Sequence, residues 1–226
     1  MVAKTSPTRV LRAIVRPRRT NQAVGSIGMP GAAFKSLPDL APMTTAEFLA
    51  WDGGGHVGKL ELVDGVVRAM APASATHGII QGNLITAINI HLRSSGSRCR
   101  AATEAPVIPP FGKRANARAP DVTVTCVPAS ASPTFDDPLL IVEVLSPGNE
   151  SETWESIRAL AALTSLKEIL VVQSTLLEAS VYTRGPTGEW PIEPSTALAG
   201  GMIRLDSLDF ELPLAEIYAG THLLSA

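Results

Sequence analysis

Apolar positions along the chain change period several times, and each change predicts an element. Residues 59–70 (KLELVDGVVRAM) carry two short apolar runs around Asp64-Gly65, a dipeptide that tolerates the positive φ of a tight turn, so a hairpin is expected with Glu61 on its first strand. Over 76–93, Ile80, Leu84, Ala87, Ile88 and Leu92 fall on one helical stripe, which puts His77 and Gln81 one turn apart where that helix begins. Residues 43–51 predict a shorter helix, capped by Thr44 or Thr45 and stopped by the glycines at 53–55. A strand is expected within 99–107, and 120–127 (PDVTVTCV) alternates as a strand starting at its proline, with Asp121, Thr123 and Thr125 on one face. Residues 139–145 (LLIVEVL) and 168–173 read as buried strands separated by a helix over 152–163. Strands near 181–184 and 202–205 and a closing helix at 212–218 complete the pattern. Such an order predicts an α/β fold, a mixed central sheet flanked by helices.

Charge divides the chain. Every charged side chain before Asp39 is basic, namely Lys4, Arg9, Arg12, Arg16, Arg18, Arg19 and Lys35, and Pro7, Pro17, Pro30 and Pro38 interrupt the same stretch. The domain is therefore expected to span 41–226, preceded by a basic, disordered segment, 1–40, with at most a short helix at 8–15. Such a segment suits a transit peptide, a phosphate-binding arm or translation from upstream of a start at Met43, and a solvated tail is the simplest reading. Over all 226 residues, 45% are hydrophobic and 18% charged, the balance of a chain that builds one packed core. The formal net charge of −2 excludes the broad positive field of a DNA-coating protein, so any nucleic-acid contact must be local. No apolar run is long enough to cross a bilayer, so no membrane partner is expected. Two cysteines, Cys99 and Cys126, show neither zinc-ligand spacing nor a disulfide-rich framework; a reducing, cytoplasmic setting is expected, with Cys126 a small core residue.

The chemistry centres on Glu143. Inside LLIVEVL an uncompensated carboxylate would cost several kcal/mol, roughly, so an ion pair, backbone hydrogen bonds or a bound cation must offset it. Asp121 opens a neighbouring strand, and carboxylates from two adjacent strands can converge on a hard divalent cation that takes oxygen ligands and keeps some of its waters. Other polar residues have simpler explanations. Glu61 would face solvent beside Lys59, His77 would be a half-buried neighbour of a helix cap, and Glu150, Glu152 and Glu155 suit the start of a helix dipole. The loop 109–118 combines prolines with basic residues that can touch phosphates. No Gly-rich phosphate loop, serine nucleophile elbow or zinc spacing occurs.

Several short motifs in order, MTTAEF from Met43, ELVDG from Glu61, MAP from Met70, His77-Gly78, Pro120-Asp-Val122, VEVLSP from Val142, TSLKEIL from Thr164 and LAEIY from Leu214, resemble the Uma-two family of restriction endonucleases, a bacterial branch of the PD-(D/E)XK superfamily. The resemblance implies a restriction-endonuclease-like core, DNA as substrate, and Mg²⁺ or Mn²⁺ as cofactor. It makes Asp121 and Glu143 the paired metal-binding acids, and adds Glu61 and His77 as catalytic neighbours.

One departure from the family pattern changes the expectation. The superfamily places a lysine two residues after the second acid, where this chain has Leu145, and the Uma-two family supplies it from the following helix, where alignment gives Ser156. Arg158 lies on another face of that helix and Lys167 comes after it. Slow or absent cleavage is thus expected, with Ser156→Lys restoring rate. The alternative is a catalytically silent descendant that keeps the fold as a nucleic-acid- or protein-binding scaffold, for instance as a homodimer. Lys167 or an arginine of the 113–118 loop would be other sources of the cation.

Overall fold

The computed structural model describes residues 35–36, 40–56, 58–110 and 115–224. Most of segment 1–40, and Lys113 and Arg114 of the basic loop, lie outside these residues. The core is a six-stranded mixed sheet in the order β4-β5-β6-β7-β8-β9, formed by Arg100–Thr103, Val122–Thr125, Pro138–Leu145, Glu168–Gln173, Glu178–Thr183 and Ser195–Leu198. All neighbours are antiparallel except β6 and β7, whose parallel pairing is allowed by the helix α3, Glu150–Leu160, that crosses between them.

Strand alternation assigns the two faces of this sheet. Leu140, Val142 and Val144 of β6 join Val122 and Val124 of β5 against Ile80, Leu84, Ile88 and Leu92 of the helix α2, Ala75–Ser94. Ile141 and Leu145 turn the other way, onto Ile157 and Leu160 of α3. Glu143 shares that second face by period. So does Asp121: Val122 pairs with Val142, which sets residue 121 opposite 143 in the antiparallel register.

A smaller sheet is built on the predicted hairpin, β2 (Leu60–Val63) and β3 (Val66–Ala69), with Asp64 and Gly65 both at positive φ in the turn. The strand β1, Lys35–Ser36, adds to its edge, so two residues of the N-terminal segment pair with the domain. Leu62 and Val67 pack towards Phe48 and Trp51 around the helix α1, Thr45–Ala50, where Thr44 and Glu47 form a capping box. Ser195–Leu198 and the strand β11, Phe210–Pro213, paired to β10 (Met202–Leu205), are strands the hydrophobic pattern did not announce; the closing helix α4 is correspondingly shorter, Leu214–Ile217.

Cys99 and Cys126 are bonded as a disulfide that continues the β4–β5 ladder one pair beyond Arg100 and Thr125, which corrects the expectation that Cys126 is simply a small core residue. No helix among the described residues is long and apolar enough to cross a membrane.

Candidate active site

Asp121, immediately before β5, and Glu143, within β6, meet in a cleft of about 550 Å³, lined also by Lys59, His77, Ser146 and Thr153. Both carboxylates are almost fully buried, with 4% exposure each. Their surroundings differ. Asp121 Oδ2 accepts the backbone N–H of Val144 at 2.8 Å and stands 3.2 Å from His77 Nε2, while Lys59 Nζ lies 3.1 Å from Oδ1. Burial alone would raise its pKa, yet the hydrogen bond from His77 and the charge of Lys59 outweigh it and hold the carboxyl down at about 2. Glu143 is pushed the opposite way, well above the ordinary glutamate range, first by burial and then by the charge of Asp121. The hydrogen bond it receives from the Asp121 backbone and the charge of Lys59 offset only part of this.

Each neighbour reaches the cleft for a local reason. His77 and Gln81 project from the first turns of α2, whose N-cap Ser74 accepts the His77 N–H. Gln81 Nε2 donates to the Asp121 carbonyl at 2.9 Å, and His77 Nδ1 is 3.1 Å from the Ser146 hydroxyl, itself hydrogen-bonded to Ser174. One helix end thereby fixes both the backbone and the side chain of Asp121. The histidine is buried among polar partners, more than the cap neighbour its position suggested.

Glu61 is not a solvent-facing residue: it is 2% exposed. Its carboxylate accepts the Ala119 N–H at 3.0 Å and stands 3.3 Å from Arg118 Nη1. Arg118 also reaches Glu155 of α3 at 3.6 Å, and Arg68, opposite Glu61 in the hairpin, meets the same Glu155 at 3.4 Å. Glu155 therefore acts as a partner of two arginines, beyond the dipole role assigned to it from sequence. Lys59, which extends the hairpin by one hydrogen bond before β2, stands two residues from Glu61, so both turn to the same face, towards the large sheet, while Leu62 turns to α1.

Lys59 is the site residue that sequence reasoning missed. Its side chain is 14% exposed, and although burial lowers the pKa of an ammonium, Asp121, Glu143 and Glu61 together raise it. Its two-residue spacing from Glu61 puts both on one side of the hairpin but says nothing of Asp121, which lies 62 positions further along the chain, whereas the family pattern points to Leu145 and the next helix. Ser156 is 4% exposed, with a hydroxyl that makes no hydrogen bond, on the same face of α3 as Thr153. Lys167 is exposed just before β7, away from the cleft.

Among the described residues no three of the histidine, cysteine, aspartate and glutamate side chains gather closely enough to hold a metal by themselves. Two buried carboxylates opening on a cleft with room for several waters nevertheless fit a hard cation that retains waters, and Glu143 has too little positive charge around it to ionise readily. The donor set is all oxygen, which suits Mg²⁺ or Mn²⁺ better than a soft metal.

Comparison with known proteins agrees with this architecture. A solved structure from Anabaena variabilis, described as a "putative nuclease belonging to DUF820", superposes with a TM-score of 0.63 at 17% identity, covering 79% of this chain and 98% of that one, and so supports the fold. An uncharacterized protein of Synechocystis sp., slr1290, is 31% identical over 194 residues, 84% of this chain and 96% of its own length. Residues 45–215 match the model of the Uma2 family, described as "Putative restriction endonuclease", and on that match the chain belongs to the Uma2 family.

Proposed function

We propose that the protein is a metal-dependent endonuclease that hydrolyses DNA phosphodiester bonds, with Asp121 and Glu143 holding Mg²⁺ or Mn²⁺. The observation that carries this reading is the placement of two buried carboxylates opposite one another on β5 and β6, with Glu143 kept reluctant to ionise until a cation arrives. Bound there, the metal would lower the pKa of a water and polarise a phosphoryl oxygen. The chain's own residues do the rest. His77, Gln81 and the Val144 N–H fix Asp121 so that it need not reorganise on binding, and Glu61 anchors Arg118 and the Ala119 backbone next to the strand that carries Asp121. Substrate contact is local in a molecule of net charge −2, and among the described residues Lys59 is the lysine or arginine that lines the cleft.

Calorimetric titration of the purified protein with Mn²⁺, alongside nicking of supercoiled plasmid, tests the reading. Wild type should bind Mn²⁺ and nick DNA, and Asp121→Ala should lose both. Normal folding with no metal affinity would sink it. That outcome would favour a silent scaffold, a reading supported by the Lys59–Asp121 ion pair, which already balances one acid without any metal.

A further inference from the structure

We propose that Lys59, the residue immediately before β2, is the working cation of this site, taking from the hairpin's entry the role for which neither Leu145 nor Ser156 has a charge. The inference rests on the nuclease reading and adds to it the residue that meets the substrate's phosphate. Three observations support it. Lys59 Nζ lies 3.1 Å from Asp121 Oδ1, and the side chain lines the same cleft as Asp121 and Glu143. Its backbone is fixed, since the Lys59 carbonyl accepts the Met70 N–H at 2.9 Å and so extends the hairpin by one pair. Its position on the strand is forced by period, because Glu61 two residues on is tied down by Arg118 and Ala119, which leaves Lys59 turned to the same side.

The other candidates among the described residues are less suitable. Arg118 is held between Glu61 and Glu155 and does not line the cleft. Lys167 precedes β7 by one residue, whereas Glu143 pairs with Val171, so roughly 13 Å of strand separates them at about 3.3 Å per residue. Leu145 packs in the apolar cluster under α3.

In hydrolysis a P–O bond forms to the water oxygen, the bond to the leaving sugar oxygen breaks, one water proton passes to solvent and the leaving oxygen takes up another. Lys59 transfers no proton in this scheme. It offers a permanent positive charge to the non-bridging phosphoryl oxygens as negative charge accumulates on them, and its four-carbon stem would let the ammonium turn from Asp121 to the phosphate when that carboxylate is shared with a metal.

A permanent ion pair that merely balances Asp121 would make different predictions, and metal affinity separates the two. Lys59→Gln keeps a hydrogen-bond donor towards Asp121 and removes the charge. It should bind Mn²⁺ at least as tightly as wild type by calorimetry, because a competing cation is gone, while plasmid nicking falls about 10²- to 10³-fold. Lys59→Arg should recover part of the rate, and Lys59→Gln combined with Ser156→Lys should recover some of it from the helix side. Should Lys59→Gln fail to fold, Lys59→Met decides in its place: Mn²⁺ binding with a strongly reduced rate supports the role, and an unchanged rate overturns it. Nicking by Lys59→Gln at the wild-type rate, with metal bound in both, overturns the role of Lys59 and leaves the nuclease reading intact. Mn²⁺ bound by Lys59→Gln and refused by wild type shows the ammonium standing in the metal's place and overturns it as well. No metal bound by any variant removes both readings together.

Discussion

Two glutamates lie buried in neighbouring parallel strands, and their surroundings could hardly differ more. Glu168, at the start of β7, is fully buried and accepts the backbone N–H groups of Asp206 and Ser207, each at 2.9 Å, the Ser207 hydroxyl, and the Thr183 hydroxyl at 3.1 Å. Its charge is dispersed over donors that the fold places at the first turn of the short helix Asp206–Leu208. Glu143, in β6, has the Asp121 backbone as donor and the carboxylates of Asp121 and Glu61 as neighbours. One residue holds a corner of the fold together. The other carries a deficit of positive charge into an open cleft. Burial of a carboxylate alone therefore does not distinguish a structural anchor from a candidate ligand; the surroundings of each one do.

The largest effect expected from this contrast is on cleavage. Glu143→Ala should lower plasmid nicking by about 10³-fold or more in Mg²⁺ or Mn²⁺, since an uncharged side chain cannot hold the cation. Glu168→Ala should invert the pattern, losing stability by about 3 kcal/mol in urea unfolding through its orphaned donors while the folded fraction keeps its metal affinity. Equal effects of the two substitutions on metal binding would erase the distinction.

A smaller, pH-dependent effect should follow from Glu143 alone. Its folded pKa is raised above 4.5, so the metal-free protein holds its proton more tightly when folded and gains stability as pH falls through that raised value towards 4.5. Mn²⁺ needs the ionised form, and its affinity should therefore weaken over the same descent, with Asp121, held at about 2, contributing nothing there. Calorimetry between neutral pH and pH 5 reads this directly. A pH-independent affinity would show that Glu143 is not a ligand.

The smallest effect concerns the region farthest in character from the site. Deletion of residues 1–40 removes the pairing of Lys35 and Ser36 with β3 and the packing of Leu40 beside α1, and should shift the melting temperature by only a few degrees, roughly. A fall of tens of degrees would show that the segment completes the core.

Periodicity by itself determined the elements that carry the site: the Asp64-Gly65 hairpin, the stripe of α2, and the strands holding Asp121 and Glu143, because a two- or 3.6-residue repeat of apolar side chains is a local property of the chain. It also made Glu143 conspicuous among six apolar neighbours in LLIVEVL. It was blind to Glu168, at the edge of its apolar run, and it missed β9 and β11, whose short, half-exposed sequences carry little apolar signal. The disulfide was equally hidden, since only the β4–β5 register brings Cys99 and Cys126 together. Which charges meet was decided by tertiary structure alone. Lys59 and Asp121 are 62 residues apart and Arg68 and Glu155 are 87 apart, and such pairs exist only because the hairpin lays one face of β2 and β3 against the large sheet and α3. A lysine two residues before a glutamate on an exposed-looking strand carries no mark of its partner, because electrostatic contact depends on distance in space and not on order in the chain.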